Sequence, residues 1–149
     1  KFIILGSGSE EDHLKGLTSS LGVTQAVHFM GKVDQNSLRP ILGSADIYVS
    51  TALSDAGIAA STAEAMACGL PVVVTKVGDN HEWVTDGISG FIVGLRDHAA
   101  LASHIIHLAK HPNERKLLGN NAREIIVERN NWSKEMAKMD ELYQSAIHI

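Results

Sequence analysis

One carboxylate stands alone in a stretch of small and apolar residues. It is Glu64, in the run Ser54-Asp55-Ala56-Gly57-Ile58-Ala59-Ala60-Ser61-Thr62-Ala63-Glu64-Ala65-Met66-Ala67-Cys68-Gly69-Leu70-Pro71. Burying such a charge is costly unless hydrogen-bond donors meet it. A ribose diol would do so, one hydroxyl to each carboxylate oxygen, and a Glu capping a neighbouring loop is the alternative. Upstream, Asp55 precedes a helix expected from about Gly57 to Cys68. A helix starting just after Asp55 aims several unpaired N–H groups and its positive dipole end at one point, which suits a phosphate or a sugar hydroxyl. Asp55 itself reads equally as a plain N-cap or as a sugar contact. Two further loops carry polar chemistry. Gly6-Ser7-Gly8-Ser9 lets the backbone approach a ligand or makes a plain tight turn, and Glu11 stands where a dinucleotide fingerprint would have its third glycine. Gly31-Lys32-Val33-Asp34 offers one cation and one anion; Asp34 as an N-cap would leave Lys32 a solvated charge.

All three loops follow short apolar runs, and that rhythm organises the chain. Phe2 to Leu5, Ala26 to Met30, Asp46 to Val49, Pro71 to Thr75 and Gly90 to Val93 read as strands. Helices are expected from about Glu10 to Leu21, Asn36 to Gly43, Gly57 to Cys68, Asp97 or His98 to Lys110, Glu114 to about Arg129 after a break at Pro112, and from Trp132 onward. Strands of this kind alternating with helices predict an α/β fold: a doubly wound, Rossmann-like parallel sheet with helices on both faces and a C-terminal helical tail. Ligands in such sheets bind beyond the carboxyl ends of the strands, where the three loops lie. No internal repeat, low-complexity segment or inner linker interrupts residues 1–149.

Composition narrows the classes. With 149 residues, 44% hydrophobic and 20% charged, the chain suits one globular domain and not a disordered one. A net charge of −4 without a basic stripe argues against nucleic-acid or anionic-membrane binding. Cys68, the single cysteine, cannot make an internal disulfide, so a reducing cytoplasm is expected, and the residue reads as a small buried hydrophobe. No apolar run approaches the roughly 18 residues of a membrane span. Lys1 opens the chain inside an apolar strand, without a Met, which fits a fragment. His104, His107 and His111 share one helical face; with no Cys or carboxylate at a fixed offset they read as a solvated face, not a metal site. Asn131-Trp132-Ser133 fits the glycosylation sequon but reads as incidental, and Trp132 is expected to pack the final helix.

The residues Ala45-Asp46-Ile47-Tyr48-Val49-Ser50, Glu64-Ala65-Met66-Ala67-Cys68-Gly69-Leu70-Pro71-Val72-Val73, Gly78 with Glu82, Asp86-Gly87 and Gly90-Phe91-Ile92-Val93 resemble the carboxyl-terminal domain of retaining GT-B glycosyltransferases, the group 1 (family 4) class. Val27-His28-Phe29-Met30-Gly31 and Asn131-Trp132 with Leu142-Tyr143 extend the resemblance over nearly the whole chain. It implies a domain, 1–149, that binds a nucleoside diphosphate sugar, with transfer to a glycan or lipid acceptor held by an amino-terminal domain outside this chain. It is compatible with peripheral membrane association of the full-length protein, and no metal or cofactor is called for. By position, Glu64 would bind the donor ribose. Amides of Gly57, Ile58 and Ala59 would meet phosphate or sugar, and the loop of Lys32, Val33 and Asp34, with Gly8, would complete the donor site.

Two departures stand out. The family spacing counted back from Glu64 lands on Ala56, whereas the acid, Asp55, is one residue early and one methylene short. The family's phosphate-binding Arg and Lys would precede Lys1. A non-catalytic nucleotide-binding module and a nucleotide-sugar epimerase domain therefore stay open beside the transferase reading. A phospho-receiver domain shares the alternating plan, but its acid would end a strand, and Asp46 begins one.

Overall fold

The computed structural model describes residues 1–147. They fall into two compact units, one of residues 1–41 and one from Leu42 onward.

The first unit is a βαβ element. Strand β1 (Phe2–Leu5) is followed by helix α1 (Glu11–Ser20), a 3-10 turn (Thr24–Ala26), strand β2 (Val27–Gly31) and the start of helix α2 (Gln35–Ser44). The two strands run parallel, Phe2 opposite Val27 and Ile4 opposite Phe29, and the register slips between Ile4 and Leu5 so that Leu5 faces Gly31. The apolar run of β1 predicts a buried strand; instead Phe2 and Ile3 remain about half exposed and α1 buries no residue. Two strands and one helix do not provide the two layers that a core needs.

The second unit holds the core. Strand β3 (Tyr48–Ser50) leads through a loop to helix α3 (Ala60–Ala67). Strand β4 (Val72–Thr75), the short helix α4 (Asn80–Trp83) and strand β5 (Gly90–Val93) follow, and helices α5 (His98–Lys110), α6 (Pro112–Arg129) and α7 (Trp132–Ile147) complete the chain. The strands form a parallel sheet in the order β3-β4-β5. Central β4 is three valines and a threonine, a β-branched run suited to burial on both faces. Val72, Val73 and Val74 are all fully buried. Val73 joins Val93, Leu108 and Leu118 in a cluster flanked by Ile47, Phe91, Leu101 and Ile105, which places α5 on that face. Val72 and Val74 point the other way, and α3 packs against β3 and β4.

Helix ends follow local chemistry. Asp97 accepts the Ala100 N–H at 2.9 Å and starts α5. Pro112 opens α6 where a break is expected, because the first helical position needs no N–H. Gly69, at φ +78°, ends α3 in the left-handed conformation. α6 crosses close by: a Cβ on Gly119 would overlap the Gly69 carbonyl, and the Arg123 guanidinium donates to the Ala67 carbonyl at the negative end of α3.

Three expectations need correction. Cys68 is exposed, not buried, because it caps α3 beyond the inward-facing Thr62, Ala65 and Met66. Trp132 begins α7 but is 75% exposed, and α7 buries no residue in this chain. Helix α4 went unforeseen, since four residues are too few to show a helical period.

Candidate functional site

The loop joining β3 to α3 is held from several sides. Tyr48 on β3 hydrogen-bonds Ser61 at 2.8 Å, hydroxyl to hydroxyl, and receives a longer bond from Thr62. Thr75 ends β4 and donates its hydroxyl to the Ala52 carbonyl at 2.6 Å. Beyond β4, Gly78 presses its backbone against the loop: a Cβ there would overlap the Gly57 carbonyl and lie 3.0 Å from that of Asp55. The Asp79 N–H donates to the Gly57 carbonyl at 3.2 Å, and the Asp79 carboxylate stands beside Gly57. Buried Asn80, 3% exposed, donates to the Thr75 carbonyl at 2.9 Å. Its side-chain oxygen, also buried, has no hydrogen-bond partner among the described residues.

That bracing sets the start of α3. The sequence places the helix just after Asp55; the structure starts it at Ala60, with Ala59 as N-cap. Gly57, Ile58 and Ala59 therefore belong to the approach loop. Asp55 does not cap the helix either: exposed, it bends back to accept the N–H of its neighbour Ala56 at 2.9 Å. A helix starting at Asp55 would have carried Gly57 inside its first turn. Gly57 instead meets the Gly78 backbone through its carbonyl.

With no side-chain cap on α3, its donors stay open. Thr62 and Ala63 donate to the Ala59 carbonyl, but the amides of Gly57, Ile58, Ala59, Ala60 and Ser61 have no partner among the described residues. Unpaired amides at and just before the start of a helix are open to an anion or a hydroxyl. Glu64 lies one turn past Ala60, about 6 Å along the axis. It is half-buried, and its carboxylate has no hydrogen bond or ion pair to any described residue. A Glu that capped a loop would have one.

In the first unit the structure brings two of the candidate loops together. The Gly6 N–H donates to the Gly31 carbonyl at 2.7 Å, so Gly6-Ser7-Gly8-Ser9 and Gly31-Lys32-Val33-Asp34 leave adjacent strand ends side by side. Gly8 is exposed, and its carbonyl accepts the Glu11 N–H at 3.2 Å. Glu11 and Asp12 fill the first turn of α1, which makes that helix start a poor phosphate site. Asp34 is the N-cap of α2: its carboxylate accepts the Ser37 N–H at 2.8 Å, and that bond holds its pKa below the ordinary value. Lys32 is exposed without an ion-pair partner among the described residues, and Val33 is half-buried beside it.

The sequence reading missed Thr75, Asp79 and Asn80, and it gave Gly78 no role. Thr75, Gly78 and Asp79 reach the loop of residues 52–57 and Asn80 holds the Thr75 carbonyl, contacts that no local spacing reveals. Asp46 is ion-paired to Arg115 of α6 at 2.9 Å, ahead of β3. No helix among the described residues is long and apolar enough to cross a membrane.

Parallel strands, helices on the sheet and unpaired amides beyond a strand end define a Rossmann-like nucleotide-binding fold. Comparison with known proteins gives the family. The family described as glycosyl transferases group 1 matches residues 1–125, and the chain belongs to it; its fold is that of a carboxyl-terminal GT-B domain. D-inositol 3-phosphate glycosyltransferase 2 of Catenulispora acidiphila is 36% identical over 144 residues, 95% of this chain and 33% of the relative. Sucrose-phosphate synthase from Thermosynechococcus elongatus superposes with a TM-score of 0.85 at 26% identity, over 98% of this chain and 38% of that one. HepE of Anabaena, solved in complex with UDP, superposes at 0.84 and 25% identity, over 96% of this chain and 40% of that one. The chain thus spans between about a third and two-fifths of the length of these relatives.

Proposed function

We propose that this chain binds the nucleoside diphosphate sugar of a retaining hexosyltransferase, whose glycan or lipid acceptor is held by a domain outside the chain. The observation that carries the reading is the row of five unpaired amides from Gly57 to Ser61, with the unpartnered Glu64 one turn beyond. The amides suit the diphosphate or the sugar, and the carboxylate suits the ribose diol. UDP bound to the Anabaena protein supports a nucleoside diphosphate as the ligand class. In the reaction, the bond from the sugar's anomeric carbon to the diphosphate oxygen breaks as the acceptor hydroxyl oxygen bonds that carbon on the same face, and the hydroxyl proton passes to the departing diphosphate oxygen. Catalysis would be positioning together with stabilisation of the departing charge by helix N–H groups, which calls for no metal. Asp55 would contact the transferred sugar after releasing the Ala56 amide.

Lys32, Val33, Asp34 and Gly8 are assigned to the donor site by the same resemblance. Asp34 serves as the cap of α2, so Lys32 is the member of that loop with a charge left to offer. Asp55 bonded to its own neighbour is the observation that favours the second reading, a non-catalytic nucleotide-binding module. An epimerase domain has less support, since the family match is to transferases.

The test is a titration of the chain with UDP, GDP and ADP, followed by calorimetry or NMR. A diphosphate is expected to bind more tightly than its monophosphate, with an affinity of about millimolar while the outside cations are lacking. Silence to all three at several times that concentration overturns the reading. A response to acetyl phosphate with a shift at Asp46 would favour a phospho-receiver instead.

A further inference from the structure

The corner between α5 and α6 gathers three groups that the donor site does not use. His107 and His111 lie one turn apart at the end of α5, and His111 is also the residue from which α6 departs. Glu114 sits in the first turn of α6. The sequence reading takes the histidines as a solvated face with no carboxylate at a fixed offset, and it overlooks Glu114, which follows His111 beyond Pro112. The turn at Pro112 restores the convergence: one ligand atom from each residue lies within 4.8 Å of the other two.

The details favour a metal over a plain polar cluster. His111 Nδ1 donates to the His107 carbonyl at 2.7 Å, which fixes its tautomer and leaves Nε2 with a free lone pair. A backbone carbonyl orienting an imidazole in this way is the usual support of a metal-bound histidine. His107 Nε2 and Glu114 Oε2 lie 2.8 Å apart, holding a proton where a cation would sit. Two imidazoles and one carboxylate are the donor set of zinc sites that keep a position open for water. Ligand atoms on a tetrahedral ion with bonds of about 2.1 Å are about 3.4 Å apart. The His107–Glu114 pair must therefore open slightly and His111 must close. The two rings stack with centroids 4.2 Å apart, so small adjustments of side-chain torsions, not of the helices, are what the ion needs. The solvent side is open, since the His107 and Glu114 side chains are 40% and 37% exposed and His111 is exposed, while Phe91 lies edge-on to His107 with centroids 6.3 Å apart. His104 takes no part, because its ring stacks on Phe91 at 4.1 Å.

We propose that His107, His111 and Glu114 bind one divalent transition-metal ion of the zinc type, with water completing its coordination. The ion would clasp α5 to α6 at the corner. This site is independent of the nucleotide reading.

The test titrates the tag-free chain with zinc chloride by calorimetry and follows melting by circular dichroism. One ion is expected to bind in about the micromolar range and to raise Tm, since it binds the folded corner. Single variants His111→Gln and Glu114→Gln should each weaken binding at least about tenfold, whereas His98→Gln should leave it unchanged. On the unsubstituted chain, NMR of the histidine ring nitrogens should show His107 and His111 shifting with zinc. The proposal is overturned if about 100 µM zinc gives neither heat nor a Tm change. It is equally overturned if both variants bind like the parent, or if the ring nitrogens that move are those of other histidines.

Discussion

Glu64 and Asp55 show how much depends on what a single carboxylate touches. A ribose ligand for Glu64 requires an unoccupied carboxylate, and the half-buried, unpartnered side chain supplies one. Glu64→Gln keeps the shape but exchanges charge-assisted hydrogen bonds for neutral ones. Bonds to charged groups contribute about 1.5–3 kcal/mol, so losing part of that should weaken UDP binding about ten-fold or more. Folding should survive or improve, because the charge is poorly compensated without ligand. Affinity and Tm measured on the same variant decide the point: an early melt with parental affinity would make Glu64 a structural residue. Asp55, by contrast, is already engaged by the Ala56 amide, so any sugar contact has to displace that bond.

The element that shapes the proposed donor loop is the turn after β4. Gly78 has φ +49°, and its α-carbon faces the carbonyls of Asp55 and Gly57. Gly78→Ala therefore adds two costs, left-handed strain of about 1–2 kcal/mol and displacement of the loop. Gly87 is the matched control, with φ +73° and open space around it. Gly87→Ala should lose about 1 kcal/mol in denaturant unfolding and keep nucleotide affinity. Gly78→Ala should lose about 2 kcal/mol or more and bind nucleotide measurably less well. Equal effects of the two substitutions on affinity would mean that the Gly78 contact does not position the loop. The same logic explains α3 and α6, where Gly119 admits the Gly69 carbonyl and Arg123 then reaches the end of α3.

At the scale of the whole molecule, the chain spans about a third of its relatives' length. Lys32 is the one cation that the proposed donor loops carry. The isolated chain should accordingly bind a nucleotide sugar without turning it over. Incubation with UDP-glucose and a lipid or glycan acceptor should release no UDP above the buffer rate, and transfer at any measurable rate would overturn this. Supplying the remaining length of the protein should restore transfer if the chain is its donor-binding part.

Sequence alone was sufficient for the repeating α/β plan, since strand burial and helix amphipathicity are local periodicities: Val72 to Thr75 and Gly90 to Val93 form strands where their composition requires. It was sufficient also for Glu64 as the unusual charge, because a lone carboxylate among alanines is visible without coordinates, and for Asp34 as a candidate cap, because a cap and its helix are neighbours in the chain. Tertiary structure alone decided the start of α3, which moved to Ala60 once Gly57 was held against Gly78. It decided that Cys68 and Trp132 face outward, because burial depends on which elements arrive to cover a side chain. It likewise brought Glu114 to His107 and His111 around Pro112. The start of α3 turns on a contact between Gly57 and Gly78, whose separation follows no helical or strand period, so only the path of the folded chain could bring them together.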